Sequence, residues 1–176
     1  AQSYVLTSFN TPVQTIWTNV IGTVNLLEAV RLSEINPVIH ICSSSEVYGQ
    51  VSEDEVPITE SCPFRPASPY AVSKVGEDMV AFQYWVSYKI KTIRTRMFTH
   101  TGPRRGDVFA MSFFGKQIAA AELGLKEPII HVGNLKSIRT FCDVRDAVKA
   151  YWLLVNKCKP GEVYNIGGDA TLTIGE

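Results

Sequence analysis

Apolar positions along the chain switch between two periods, and the switches mark its elements. Ile16, Val20, Thr23, Leu27 and Val30 recur at three- and four-residue steps behind Pro12, which predicts a helix over 11–33 ending before Asn36-Pro37. Val38-Ile39-His40-Ile41-Cys42 is short, mostly β-branched and bounded by Pro37 and by serines, the pattern of an interior parallel strand. A polar, proline-rich loop then runs from Gly49 to Pro69 and carries Glu53, Asp54, Glu55 and Glu60. Loops of that length in compact domains are often functional. A second helix is predicted over 70–87, with Val72, Val75, Met79, Phe82, Tyr84, Trp85 and Val86 on its apolar side. Strands are expected at 92–98, 129–132 and 163–166, and helices at 109–123 and 143–156, the latter capped by Asp143.

Alternation of helix and strand is the signature of βαβ units, so the expected fold class is α/β, a Rossmann-like doubly wound parallel sheet with helices on both faces. Composition narrows the picture further. The 176 residues are 45% hydrophobic and 19% charged, which excludes a disordered or fibrous chain. The 17 basic and 17 acidic side chains cancel to a net charge of 0, so no whole-protein field favours nucleic acid. No apolar run approaches the roughly 18–20 residues of a membrane span. Cys42, Cys62, Cys142 and Cys158 are scattered without metal-ligand spacing and read as reduced thiols of a cytoplasmic protein, with no metal expected. The chain opens at Ala1-Gln2-Ser3 and closes at Ile174-Gly175-Glu176, and the expectation is a portion of a longer protein.

Ligands of open parallel sheets bind beyond the carboxyl ends of the strands. The strand at 38–42 runs straight into Ser43-Ser44-Ser45-Glu46-Val47-Tyr48-Gly49, which by itself equally suits a helix cap or a turn. Tyr70 and Lys74 then stand four residues apart at the start of a helix preceded by Ser68-Pro69, and so share one face. An ammonium beside a phenol favours the phenolate and is expected to draw the Tyr70 pKa down. A phenol tuned that way is suited to take a hydroxyl proton while hydride leaves the same carbon.

With these residues in hand the chain resembles the extended short-chain dehydrogenase/reductases that modify nucleotide sugars. The resembling segments are Ala1-Gln2-Ser3, Thr18 to Thr23, Ser44 to Gly49, Ser68-Pro69-Tyr70 through Lys74, Phe98-Thr99-His100-Thr101-Gly102-Pro103, Arg139 with Asp143 to Asp146, and Tyr164 to Gly168. They run through the whole chain in the family's order. The Gly-rich dinucleotide turn of that family does not occur among these residues. Within the family, Ser45-Glu46 and Pro103-Arg104-Arg105-Gly106 resemble the GDP-mannose 4,6-dehydratases. Thr99 stands where those enzymes have Asn, and Glu127 to Leu135 with Asp143 to Ala147 also resembles GDP-4-keto-6-deoxymannose reductases.

The resemblance implies a mechanism. Ser44 would hydrogen-bond the sugar O4, Tyr70 would take the O4 proton as hydride passes from C4 to NAD or NADP, and Lys74 would tune Tyr70 and hold the nicotinamide ribose. Glu46 would then remove the C5 proton and help O6 leave as water before the hydride returns at C6. It assigns Ala1, Asn19, Ser43, Tyr70, Lys74, His100 and Arg105 to the cofactor, and Ser3, Ser44, Ser45, Glu46, Thr99, Asn134 and Arg139 to the nucleotide sugar. Locally bonded or packed side chains remain the alternative for Asn19, His100 and Arg139, and a solvated pair for Arg104 and Arg105. By the same resemblance, 1–100 belongs to the dinucleotide-binding domain and 101–141 mostly to the substrate-binding region. Residues 142–168 would return to the first domain, and 169–176 would begin the next substrate segment. A homodimer through helices 11–33 and 70–87 is implied, with a tetramer left open. The reductase, other nucleotide-sugar dehydratases, decarboxylases and epimerases, and a non-catalytic dinucleotide-binding relative remain the alternative functions.

Overall fold

A computed structural model describes all residues from Ala1 to Glu176. The chain divides into two compact units, the first built from Ala1–Phe98 and Val148–Ile166, the second from Thr99–Ala147 and Gly167–Glu176.

In the first unit, β1 (Val38–Ser44), β2 (Lys91–Met97) and β5 (Val163–Ile166) form a parallel sheet in the order β1-β2-β5. Helix α4 (Pro69–Tyr88) covers one face. It starts where Ser68 accepts from the Ala71 N–H at 3.0 Å, with Pro69 in the first turn, and ends at Lys89 in the left-handed conformation. The alternate residues Thr92, Arg94 and Arg96 of β2 all bond to α4, to the Ala81 carbonyl and to Asp78. On the other face His40 donates to or accepts from Thr95 at 2.8 Å and packs on Tyr151 of α6 (Val144–Lys157), ring centroids 4.5 Å apart. Helices therefore cover both faces of a parallel sheet, the doubly wound arrangement that the helix–strand alternation predicts.

The first helical segment runs as α1 (Val5–Asn10), α2 (Pro12–Ile16), a π turn (Trp17–Ile21) and α3 (Gly22–Leu32). The short α1 lies outside the predicted 11–33 helix, since six residues give no readable period. Leu27 and Val30 of α3 meet Tyr84 of α4 and Ile90 in a buried cluster, flanked by Ile39 and Val80. Burial of each such side chain contributes about 1.5–3 kcal/mol. Gly76 of α4 lets the π turn approach closely, because a Cβ there would stand 2.6 Å from a Val20 methyl.

The second unit holds α5 (Ala110–Glu122) and a small sheet in the order β3-β4-β6. β3 (His100–Thr101) pairs parallel with β4 (Ile138–Asp143), and β6 (Ala170–Thr173) pairs antiparallel with it. One expectation is corrected here. Ile129 to Val132 is not a strand: both backbone groups of His131 are taken by the Gln117 side-chain amide, at 2.8 and 3.1 Å, instead of by a neighbouring chain. The strand lies instead at Ile138–Asp143, whose Arg and Thr residues break the apolar pattern. Asp143 does cap α6, accepting from the Arg145 N–H at 2.8 Å. No helix is long and apolar enough to cross a membrane.

Candidate active site

The carboxyl end of β1 and the first turns of α4 bring the four expected catalytic residues together in the first unit. Ser44 ends β1 and is buried; its hydroxyl accepts the Glu46 N–H at 3.2 Å and so caps the 3-10 turn Ser45–Tyr48. Ser45 is partly buried in that turn, and Glu46 is exposed, its carboxylate open to a ligand. The turn closes at Gly49, with φ of 64°, where a Cβ would fall 1.9 Å from the Arg65 carbonyl oxygen. Only glycine satisfies both conditions.

Tyr70 is buried in the first turn of α4, and the Lys74 Nζ stands 5.8 Å from its ring centroid. The net effect on the phenol is opposite to the sequence expectation. Burial pushes Tyr70 above the ordinary tyrosine value; the Lys74 charge and a hydrogen bond with Ser44 pull it back, while Glu77 and Glu46 add to the rise. Desolvation outweighs the Lys74 ammonium, which is itself engaged elsewhere. Its Nζ donates to the Cys42 carbonyl at 2.8 Å and to Oε2 of Glu77 at 2.7 Å, with both Lys74 and Glu77 side chains 6% exposed. Ser43, expected at the cofactor, donates its hydroxyl to the Lys74 carbonyl at 3.0 Å and ties β1 to α4.

Asn19 sits in the π turn, 1% exposed. Its Oδ1 accepts the Gln2 N–H at 2.7 Å, and its Nδ2 donates to the Gln2 carbonyl at 2.9 Å and to Ser73 Oγ at 2.8 Å. These bonds span 17 and 54 residues and engage both polar atoms of the buried side chain. Asn19 fixes the segment that carries Ala1 and Ser3, both exposed, against the residue next to Lys74. π turns are concentrated at functional sites.

The loop 49–69 is anchored from below. Arg96 donates to Asp78 at 2.8 Å, to the Tyr48 hydroxyl at 3.0 Å and to the Glu60 carbonyl at 2.8 Å. Asn165 accepts from Tyr48 at 2.7 Å and donates to the Ile58 carbonyl at 2.9 Å.

In the second unit Thr99, His100, Arg105 and Arg139 line one depression of about 140 Å³, with Phe109 and Phe141 among its walls. Arg105 donates to the His100 carbonyl and lies 3.9 Å from the Phe109 ring centroid. Arg139 is exposed and donates to the Ile138 carbonyl at 2.7 Å. Asn134 lies outside this depression, in a turn where it accepts from the Lys136 N–H at 3.0 Å. Phe109, Gln2 and Glu77 were not singled out from sequence. Glu77 is three residues beyond Lys74, a helical neighbour that the spacing rule for side-chain pairs identifies.

The chain matches a family model described as GDP-mannose 4,6 dehydratase over residues 1–176. It is 35% identical over 165 residues to a GDP-6-deoxy-D-mannose reductase of Pseudomonas aeruginosa, covering 94% of this chain and 54% of that protein. It is 35% identical over 178 residues to a GDP-mannose 4,6-dehydratase of Yersinia enterocolitica, covering 100% of this chain and 47% of that one. Among solved structures it superposes on RMD from Pseudomonas aeruginosa complexed with NADPH with a TM-score of 0.96, at 34% identity over 99% of this chain and 60% of the other. The chain thus spans about half the length of the curated relatives it matches. A match that runs the full length of the chain, carried on a parallel sheet with Ser44, Tyr70 and Lys74 gathered at its strand ends, makes this chain a member of the GDP-mannose 4,6-dehydratase family of extended short-chain dehydrogenase/reductases.

Proposed function

We propose that the protein is a GDP-mannose 4,6-dehydratase, a lyase that removes water from a GDP-hexose through a transient 4-keto sugar. The observation that carries this reading is the exposed Glu46 carboxylate at the same strand end as buried Ser44 and Tyr70. Oxidation at C4 alone needs a base for one proton, whereas elimination needs a second base for the C5 proton. Tyr70 accepts the O4 proton, Ser44 orients that oxygen, and Glu46 removes the C5 proton and returns it to the departing O6, a proton from solvent restoring C5 once C6 is reduced.

The residues fit a nicotinamide dinucleotide, NAD or NADP. An ammonium has three donors, and Lys74 commits two of them, to Cys42 and Glu77, leaving one for a ribose hydroxyl. Such a cofactor, when bound, supplies a hydride acceptor that gives the hydride back within the turnover. In this reading the first unit belongs to the dinucleotide-binding part, with Ala1 and Asn19 at the cofactor, and Thr99, Asn134, Arg139 and Ser3 serve the sugar nucleotide. In the same reading His100 and Arg105 serve the cofactor.

Partners follow from the surface. Val72, Met79 and Val86 of α4 recur seven residues apart and are exposed, as are Val13 and Trp17 of α2 and the π turn. These faces support a homodimer through the two helical segments. Four free cysteines suit a cytoplasmic setting.

Net reduction of a GDP-4-keto-6-deoxy sugar is the second reading, supported by the close superposition on the NADPH-complexed structure. Incubation of the full-length protein with GDP-mannose and catalytic NADP or NAD separates the two. Loss of one water with no net change in reduced cofactor is the expected outcome. Unchanged GDP-mannose, together with stoichiometric oxidation of NADPH by the 4-keto-6-deoxy sugar, would replace the dehydratase by the reductase.

A further inference from the structure

We propose that Glu77 is a positioning residue that holds the Lys74 ammonium in place and offsets its charge at the Tyr70 phenol. The inference deepens the functional reading above, since it takes Tyr70 as the base. Glu77 is 4% exposed and its Oε2 meets the Lys74 Nζ at 2.7 Å. A carboxylate is costly to bury, and this one is paired with the lysine that faces the phenol. With the Cys42 carbonyl it fixes two of the three ammonium donors, so the orientation of the third is set before any ligand arrives. Its charge opposes that of Lys74 at Tyr70. Burial raises Glu77 itself, and the charge and hydrogen bond of Lys74 pull it down. The remaining titratable neighbours of the pair are the Cys42 thiol on β1 and, beside Tyr70, Glu46 in the following turn.

The test is the titration of Tyr70 in the full-length protein, followed by NMR with tyrosine labelled at Cζ and assigned by loss of the resonance in Y70F. Glu77→Gln keeps an acceptor for Lys74 but removes the charge. It should lower the Tyr70 midpoint by about one pH unit, and move the acid limb of turnover down equally. In the unmodified protein the Tyr70 resonance should also show a smaller inflection where Glu77 titrates, which requires no variant. A Tyr70 midpoint unmoved in E77Q, or a single inflection in the unmodified protein, would overturn the proposal and leave Glu77 a structural ion pair. The titration uses no sugar nucleotide. Absence of turnover on every nucleotide sugar would therefore count against the dehydratase reading and not against this one.

Discussion

The Nδ2 of Asn19 donates to the Oγ of Ser73 at 2.8 Å, joining the π turn to the residue immediately before Lys74. Ser73 in turn donates to the Tyr70 carbonyl at 2.7 Å, so one buried chain of bonds runs from the Gln2 backbone to the first turn of α4. Replacing Asn19 by Ala strips the Gln2 N–H and carbonyl of their partner. The expected cost is about 1–3 kcal/mol, read as a lower urea midpoint with an unchanged m-value.

Asp78 is fully buried and holds Arg94 and Arg96, each at 2.8 Å. Asp78→Asn leaves two guanidinium groups without their counter-charge inside the first unit. A destabilisation of about 3–5 kcal/mol is expected by chemical denaturation. Because Arg96 also grips the Glu60 carbonyl, the same variant should expose the loop 49–69 to protease.

Tyr70 titrates above free tyrosine because it is buried, with Lys74 opposing that rise. Lys74→Met removes the opposing charge, so the midpoint should climb by about one pH unit or more and turnover at neutral pH should fall at least about tenfold. Tyr70→Phe should lower turnover by about 10²–10⁴-fold without loss of the fold, as checked by circular dichroism.

Glu55 ties the loop to itself. Arg65 reaches its two carboxylate oxygens at 2.7 and 2.8 Å and Ser52 donates to it, which holds its pKa at about 2 against an ordinary 4.5. A depressed carboxylate stabilises the folded loop above pH 4.5, and that contribution is lost as pH falls toward 2. The protection factor of the Arg65 amide, whose N–H bonds the Val47 carbonyl at 2.9 Å, should fall as pH is lowered across that window in the native chain. Glu55→Gln should remove that pH-dependent change in protection.

Most of the first unit was legible in the sequence because its signals are local. The runs at 38–42 and 70–87, the Ser68-Pro69 start and the Tyr70/Lys74 spacing each depend on neighbours a few residues away, and β1 and α4 form there. What escaped depends on distant partners. Ile129 to Val132 has strand composition, yet Gln117 supplies the hydrogen bonds that a strand would have given it. The strand at Ile138–Asp143 has its partner at Ala170–Thr173, roughly thirty residues on. For Tyr70 the spacing correctly placed Lys74 on the same helix face. The direction of the pKa did not follow, because burial outweighs the Lys74 charge.

The dehydratase account stands most directly on the fate of the hydrogen at C4. GDP-mannose carrying deuterium at C4 should be incubated with the full-length protein and catalytic NADP or NAD, and the product read by mass spectrometry and NMR. The account predicts a product one water lighter with the deuterium at C6 and no net reduced cofactor. Recovery of the substrate with its label still at C4, or a product with ordinary hydrogen at C6 and the label left on the cofactor, would contradict it.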